Sequence, residues 1–184
     1  MDMSLLSKIS IIDFSHLSGT GNIVVITGER GAGKTTFCQQ IIKVYKNAGL
    51  SICGVITPGR FKDSQKNGIF VIDLASGQSR LLASAIPEEL DGIRFGHWTF
   101  DSHVFEWGNQ CLGQITDSDV VVIDELGPLE FELHSGWMTG FEILRSQKYR
   151  LAIAVIRPEC INAFSKMGFD FQVKEISIYG HHHI

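Results

Sequence analysis

The chain has 184 residues, 44% of them hydrophobic, and a formal net charge of -4, which is enough apolar material for one globular unit with a sizeable core. An acidic balance without a long run of Lys or Arg argues against an extended nucleic-acid surface, so any anion site has to be local. No run of about 18 apolar residues occurs, so no membrane span is expected.

Residues 1–20 read as an N-terminal extension without a basic leader ahead of a long apolar stretch, and a cytoplasmic protein is expected. "NIVVIT" (22–27) is a β-branched run that predicts a buried strand. "TTFCQQIIKVYKNAG" follows with Phe37, Ile41, Val44 and Ala48 at helical spacing and Gly49 where a C-terminal cap belongs. "LSICGVITP" (50–58) then closes a strand-helix-strand unit. Between 61 and 82, two strand-like runs flank Ser76-Gly77 and predict an antiparallel hairpin at or beside the sheet edge. "IRFGHWTFDS" (93–102) is expected to hold another short strand, with Asp101 or Ser102 capping a helix over "HVFEWGNQCLGQI".

"SDVVVIDE" (118–125) is the next continuous apolar strand. A helix at about 137–147, a strand at 150–156, a helix after Pro158 and a last strand near 171–178 complete the pattern. The alternation predicts one domain over 1–184, an α/β three-layer fold with a mostly parallel sheet, helices on both faces and an added antiparallel hairpin. Cys38, Cys53, Cys111 and Cys160 show no zinc spacing and read as small core residues in a reducing compartment. The tail 180–184 carries three of the seven histidines; a tag remnant, a natural tail and a metal-binding tract are the alternatives, and frayed termini argue against the last.

The chemistry is concentrated in "GERGAGKTT" (28–36). Gly28-x-x-x-x-Gly33-Lys34-Thr35 fits a phosphate-binding loop (Walker A), and it lies between a predicted strand and helix. Glycines at 28, 31 and 33 let the backbone approach phosphates, while successive N–H groups and the helix N-terminus supply positive potential. Gly28, Glu29, Arg30, Gly31, Ala32, Gly33, Lys34, Thr35 and Thr36 are thus the candidate nucleotide-binding residues, with Glu29 and Arg30 at variable, solvent-facing positions. Lys34 is placed to reach the β- and γ-phosphates, and the Thr35 hydroxyl to bind Mg²⁺.

A phosphate loop needs a carboxylate for the metal, and "VVVIDELGPLE" delivers Asp124 and Glu125 at a strand's carboxyl end (Walker B), the edge where open parallel sheets bind ligands. Asp124 is expected to hold Mg²⁺ and Glu125 to polarise a water in line with the γ-phosphate. A carboxylate directly after the metal aspartate marks the ATPase branch with an additional central strand. The strand at 150–156 is therefore expected between the loop strand and the Asp124 strand, with Arg157 emerging beside the γ-phosphate.

Together, "GERGAGKTT", "GVITPGR", "NGIFVIDLASG" and "IDELGPLE" resemble the small nucleoside triphosphatases first named from thermophiles, which have a variant RecA-type fold. The likeness spans roughly residues 22–157. It implies slow, Mg²⁺-dependent hydrolysis of ATP, GTP and other triphosphates, with the phosphate cradle at Gly28 through Thr36 and the metal and water roles at Asp124 and Glu125. One departure is that Gly59 and Arg60 follow Pro58 directly, where the family has a longer acidic turn. Arg60 and Lys66 are both candidates to reach the γ-phosphate, with solvated loop cations as the equal alternative. Trp98 and Phe100 are candidates for base stacking or for the core; Phe105, Trp107 and Trp137 read as packing. No Asn/Thr-Lys-x-Asp guanine-reading motif is present, so loose base choice is expected. A small kinase and a nucleotide-dependent binding module with an unknown protein partner stand as the competing functions.

Overall fold

A computed structural model describes Leu17 and residues 19–177; the tail at 180–184 and most of the N-terminal extension lie outside them. Five parallel strands carry the site, in the order β10-β1-β9-β8-β2. They are β1 (Asn22–Thr27), β2 (Ile52–Ile56), β8 (Ser118–Leu126), β9 (Tyr149–Ile156) and β10 (Gln172–Glu175). The strand expected to insert does so: β9 pairs with β1 on one side and β8 on the other.

These strands are apolar on both faces because both faces are covered. Val25, Val121, Ile123, Ala152 and Ala154 point into one core, and Val24, Ile26, Val120, Val122, Leu151, Ile153 and Val155 into the other, the period-two alternation of a pleated strand. Helix α1 (Lys34–Asn47) seals the second core with Phe37, Cys38, Ile41 and Tyr45. On the first face lie α2 (Ser102–Gly113), α3 (Pro128–Phe131), α4 (Met138–Ser146) and α5 (Ile161–Ser165). Asp101 caps α2, accepting hydrogen bonds from the N–H groups of His103 and Val104 at 2.9 and 3.2 Å.

The antiparallel part is larger than one hairpin. Strands β3 (Gly59–Lys62), β4 (Gln65–Asp73) and β5 (Ser79–Ser84) form a meander in which β4 pairs with both neighbours. β4 also pairs antiparallel with β2, so the meander continues the sheet. The 93–102 stretch folds as two short strands, β6 (Ile93–Phe95) and β7 (Trp98–Phe100), and β7 extends the sheet from β5. Of the candidate base-stacking aromatics, Phe100 is core, while Trp98 is half-buried at the surface.

The two aromatic anchors on the first face fix how closely α2 can approach. Phe105 packs edge-on to the buried Trp137 with ring centroids 4.9 Å apart, and Gly108, one turn further along, lets the indole touch the helix backbone. A Cβ at position 108 would lie 2.3 Å from Trp137 Cζ3. In an open helix Gly→Ala gains about 1 kcal/mol; here overpacking by about 1–3 kcal/mol opposes it. Gly108→Ala is therefore expected to lower the urea midpoint, against the helix-propensity trend.

Candidate active site

The phosphate loop runs from the end of β1 into α1. Gly33, at the N-cap of α1, has φ +89°, and Gly28 has φ +145°, backbone conformations that L side chains rarely adopt. A Cβ on Gly28 would lie 2.1 Å from the Ile176 carbonyl oxygen, because the chain just past β10 pairs with the end of β1 through an Ile176 N–H to Thr27 carbonyl bond of 2.7 Å. The loop folds around its own lysine. Lys34, 6% exposed, donates to the carbonyls of Gly28 (2.8 Å) and Glu29 (3.1 Å) and lies 3.6 Å from the Glu125 carboxylate.

Asp124 meets the loop from β8. The Thr35 hydroxyl donates to Asp124 Oδ1 at 3.3 Å, and the N–H and hydroxyl of Thr57, at the end of β2, donate to Oδ2 at 3.0 and 3.2 Å. Burial and the neighbouring Glu125 charge raise the Asp124 carboxyl to about 6, against the lowering by Thr57 and Thr35. A fully buried carboxylate beside a hydroxyl is a hard-oxygen pair that suits Mg²⁺, an ion that keeps waters and substrate phosphates as its other ligands. Among the described residues no group of three or more His, Cys, Asp and Glu side chains is gathered for a metal, so the protein's share of such a site is this pair.

The peptide joining Asp124 to Glu125 is cis, and the Glu125 side chain faces Lys34 and Arg157. Arg157 leaves the end of β9 and donates through Nε to Glu125 Oε1; both side chains are about a quarter exposed. Gly28, Glu29, Arg30, Lys34, Arg157, Pro158 and Glu159 line a cavity of about 150 Å³. A roomier cleft of about 270 Å³, between α2 and the start of α4, has Glu106 as its charged lining residue, the wrong sign for phosphate.

The two remaining candidate cations part company. Arg60 is engaged by its own meander: Nε donates to Asn67 Oδ1 (3.0 Å), and the guanidinium grips Glu89 at 2.6 and 2.9 Å, holding the Glu89 carboxyl down to about 2 together with the Ser84 hydroxyl. Lys66 instead has Glu125, Asp124, Arg157 and Arg30 as its electrostatic neighbours.

Two contributors had escaped the sequence reading, Thr57 and Glu130. Each had a signal: a hydroxyl at the carboxyl end of the strand beside Asp124, and a glutamate three residues after Gly127 in a capping-box position. Glu130 accepts from Gly127 N–H (2.8 Å) and Trp137 N–H (2.9 Å), tying the turn after Glu125 to the start of α4. Burial lifts its carboxyl from 4.5 to about 7, opposed by those N–H bonds. A raised folded-state pKa gives stability that is present below the unfolded value and lost as pH rises through the folded one. The wild type is therefore expected to lose up to about 3 kcal/mol relative to Glu130→Gln between pH 4.5 and 7, measured by denaturant unfolding of both proteins across that window. The Asp124 shift is common to both and cancels.

Comparison with known proteins places the chain in a family. A model of the NTPase family matches residues 23–176. The nucleoside-triphosphatase THEP1 of Ignicoccus hospitalis is 33% identical over 110 residues, 60% of this chain and 61% of that protein. The one from Methanothermobacter thermautotrophicus is 30% identical over 145 residues, 78% of this chain and 80% of that protein. The solution structure of a human cancer-related nucleoside triphosphatase shares the fold, with a TM-score of 0.67 at 23% identity over 86% of this chain and 90% of that one. The family match runs from β1 through β10 and includes both the phosphate loop and the acidic pair, and the chain belongs to the NTPase family.

Proposed function

We propose that the chain is a Mg²⁺-dependent nucleoside triphosphatase that converts ATP, GTP and other triphosphates to diphosphate and phosphate. The observation that carries this reading is the Glu125 carboxylate at the mouth of the phosphate loop, between Lys34 and Arg157. Such a carboxylate suits a water nucleophile.

The loop N–H groups from 28 to 36 receive the β- and γ-phosphates, and Lys34 exchanges the carbonyls of Gly28 and Glu29 for phosphate oxygens. Thr35 and Asp124 would hold Mg²⁺, which would supply charge neutralisation to the triphosphate when bound. Arg157 turns from Glu125 to the γ-phosphoryl group, which frees Glu125 to orient a water and accept its proton. The water oxygen bonds to the γ-phosphorus as the β,γ-bridging bond breaks, and the electron pair leaves on the diphosphate. Slow turnover belongs to this reading, as the family resemblance implies.

The sequence carries no Asn/Thr-Lys-x-Asp guanine-reading motif, so ATP and GTP are expected to be turned over within about tenfold of each other, the range that undirected stacking leaves open. The four cysteines, none in a disulfide, suit a cytoplasmic setting, and no helix among the described residues is long and apolar enough to cross a membrane.

A panel of triphosphates with mass identification of products tests the proposal. Equal amounts of diphosphate and inorganic phosphate are expected. A phosphorylated small molecule appearing at phosphate's expense would replace hydrolysis by a kinase, and turnover that requires an added protein would replace it by a binding module.

A further inference from the structure

The cations assigned so far belong to the parallel half of the sheet; the antiparallel half brings one more. Lys66 lies in β4 opposite Phe61, across the register shift between Arg60 and Phe61. Its stem passes over Gly59: a Cβ there would lie 2.9 Å from Lys66 Cε and 2.8 Å from the Phe61 ring. Gly59 is two residues past Thr57, which holds Asp124, so the stem is anchored beside the metal aspartate. The ammonium sits 5.8 Å from the centre of the Trp98 ring. Among the described residues no carboxylate forms an ion pair with it, whereas Arg60 on the same meander is fully engaged by Glu89, Asn67 and Ser84.

We propose that Lys66 is a catalytic cation, delivered by the β3-β4 turn to the γ-phosphoryl oxygens from the side opposite Arg157. Desolvation lowers its pKa, while Glu125 and Asp124 raise it and Arg157 and Arg30 lower it; these four groups are the charged surroundings of the loop's γ-phosphate end. Lys66 remains solvent-accessible, as a group that closes on an arriving ligand has to be. The added charge acts most strongly where negative charge develops, on the γ-phosphoryl oxygens in the transition state.

The inference rests on the nucleotide reading of the loop, and the experiment separates the two. Lys66→Met keeps an unbranched stem over Gly59 and Trp98 and removes only the charge; Lys66→Arg restores charge. For wild type and both variants, kcat and KM are measured with ATP, and affinities for ADP and a non-hydrolysable ATP analogue by calorimetry, with thermal melts as the folding control. In Lys66→Met, kcat is expected to fall about 10²-fold, triphosphate affinity by less than about tenfold, and ADP affinity not at all; Lys66→Arg recovers part of kcat. Turnover within about threefold of wild type overturns the proposal, as does parallel loss of ADP and triphosphate binding. If the wild type releases no phosphate from any triphosphate, the hydrolase reading falls and Lys66 is judged on binding alone. A preference for the analogue over ADP that shrinks in Lys66→Met then upholds its γ-phosphate contact, and an unchanged preference overturns it.

Discussion

Glu125→Gln is expected to lower kcat by about 10²–10⁴, the range usual for loss of a general base, with triphosphate affinity unchanged or slightly tighter. The substitution keeps the size and hydrogen-bonding reach of the side chain and removes the basic carboxylate. Binding survives because the phosphate contacts come from the loop backbone and Lys34. The slight tightening has two sources: one negative charge near the γ-phosphate disappears, and Arg157 loses the carboxylate that holds its Nε. Steady-state kinetics combined with calorimetry check both parts. A variant hydrolysing ATP within about threefold of wild type would remove Glu125 from the mechanism, and loss of binding together with turnover would assign it to the metal or the fold instead.

Lys34→Ala is expected to abolish turnover and to weaken triphosphate binding by about 10²–10³-fold, the equivalent of one or two charge-assisted hydrogen bonds. Binding of a bare nucleoside, which has no phosphates for Lys34 to hold, stays as it was. The lysine is buried and donates to two loop carbonyls, so its removal also loosens the empty loop, and a thermal melt accompanies the titration. Equal losses for triphosphate and nucleoside would show that the loop had collapsed and would remove the specific phosphate role.

What the sequence disclosed and what it hid divide along physical lines. The phosphate loop is contiguous, so its chemistry and its conformation are written together. The strands β1, β8 and β9 are continuous apolar runs, and the Asp124-Glu125 pair alone was enough to predict that β9 lies between the other two, as it does. The antiparallel half was harder. Its β3-β4 turn is Asp63-Ser64, with both residues at positive φ (49° and 63°), where the recognisable signal would be Asn-Gly or Asp-Gly. β3 itself is four residues long with none of them buried, so it carries no hydrophobic alternation. The choice between Arg60 and Lys66 was out of reach for a related reason: a bulge falls between Arg60 and Phe61, and a one-residue shift of register moves a side chain to the other face of the strand. Thr57 acts through a partner 67 residues away, a pairing that exists only after β2 and β8 lie side by side, whereas Glu130 reaches Trp137 seven residues on, across a turn that holds no strand.

The pairing of Arg157 with Glu125 has a consequence for how a catalytic cycle ends. Glu125 is the nearest counter-ion of Arg157, with Lys34 3.6 Å from the same carboxylate. On the hydrolase reading, a γ-phosphate competes with Glu125 for the guanidinium, whereas a diphosphate leaves the pair intact. Hydrolysis turns the first kind of ligand into the second. On that reading, re-formation of the pair accompanies phosphate departure, and two groups of the chain itself restore the site for the next triphosphate.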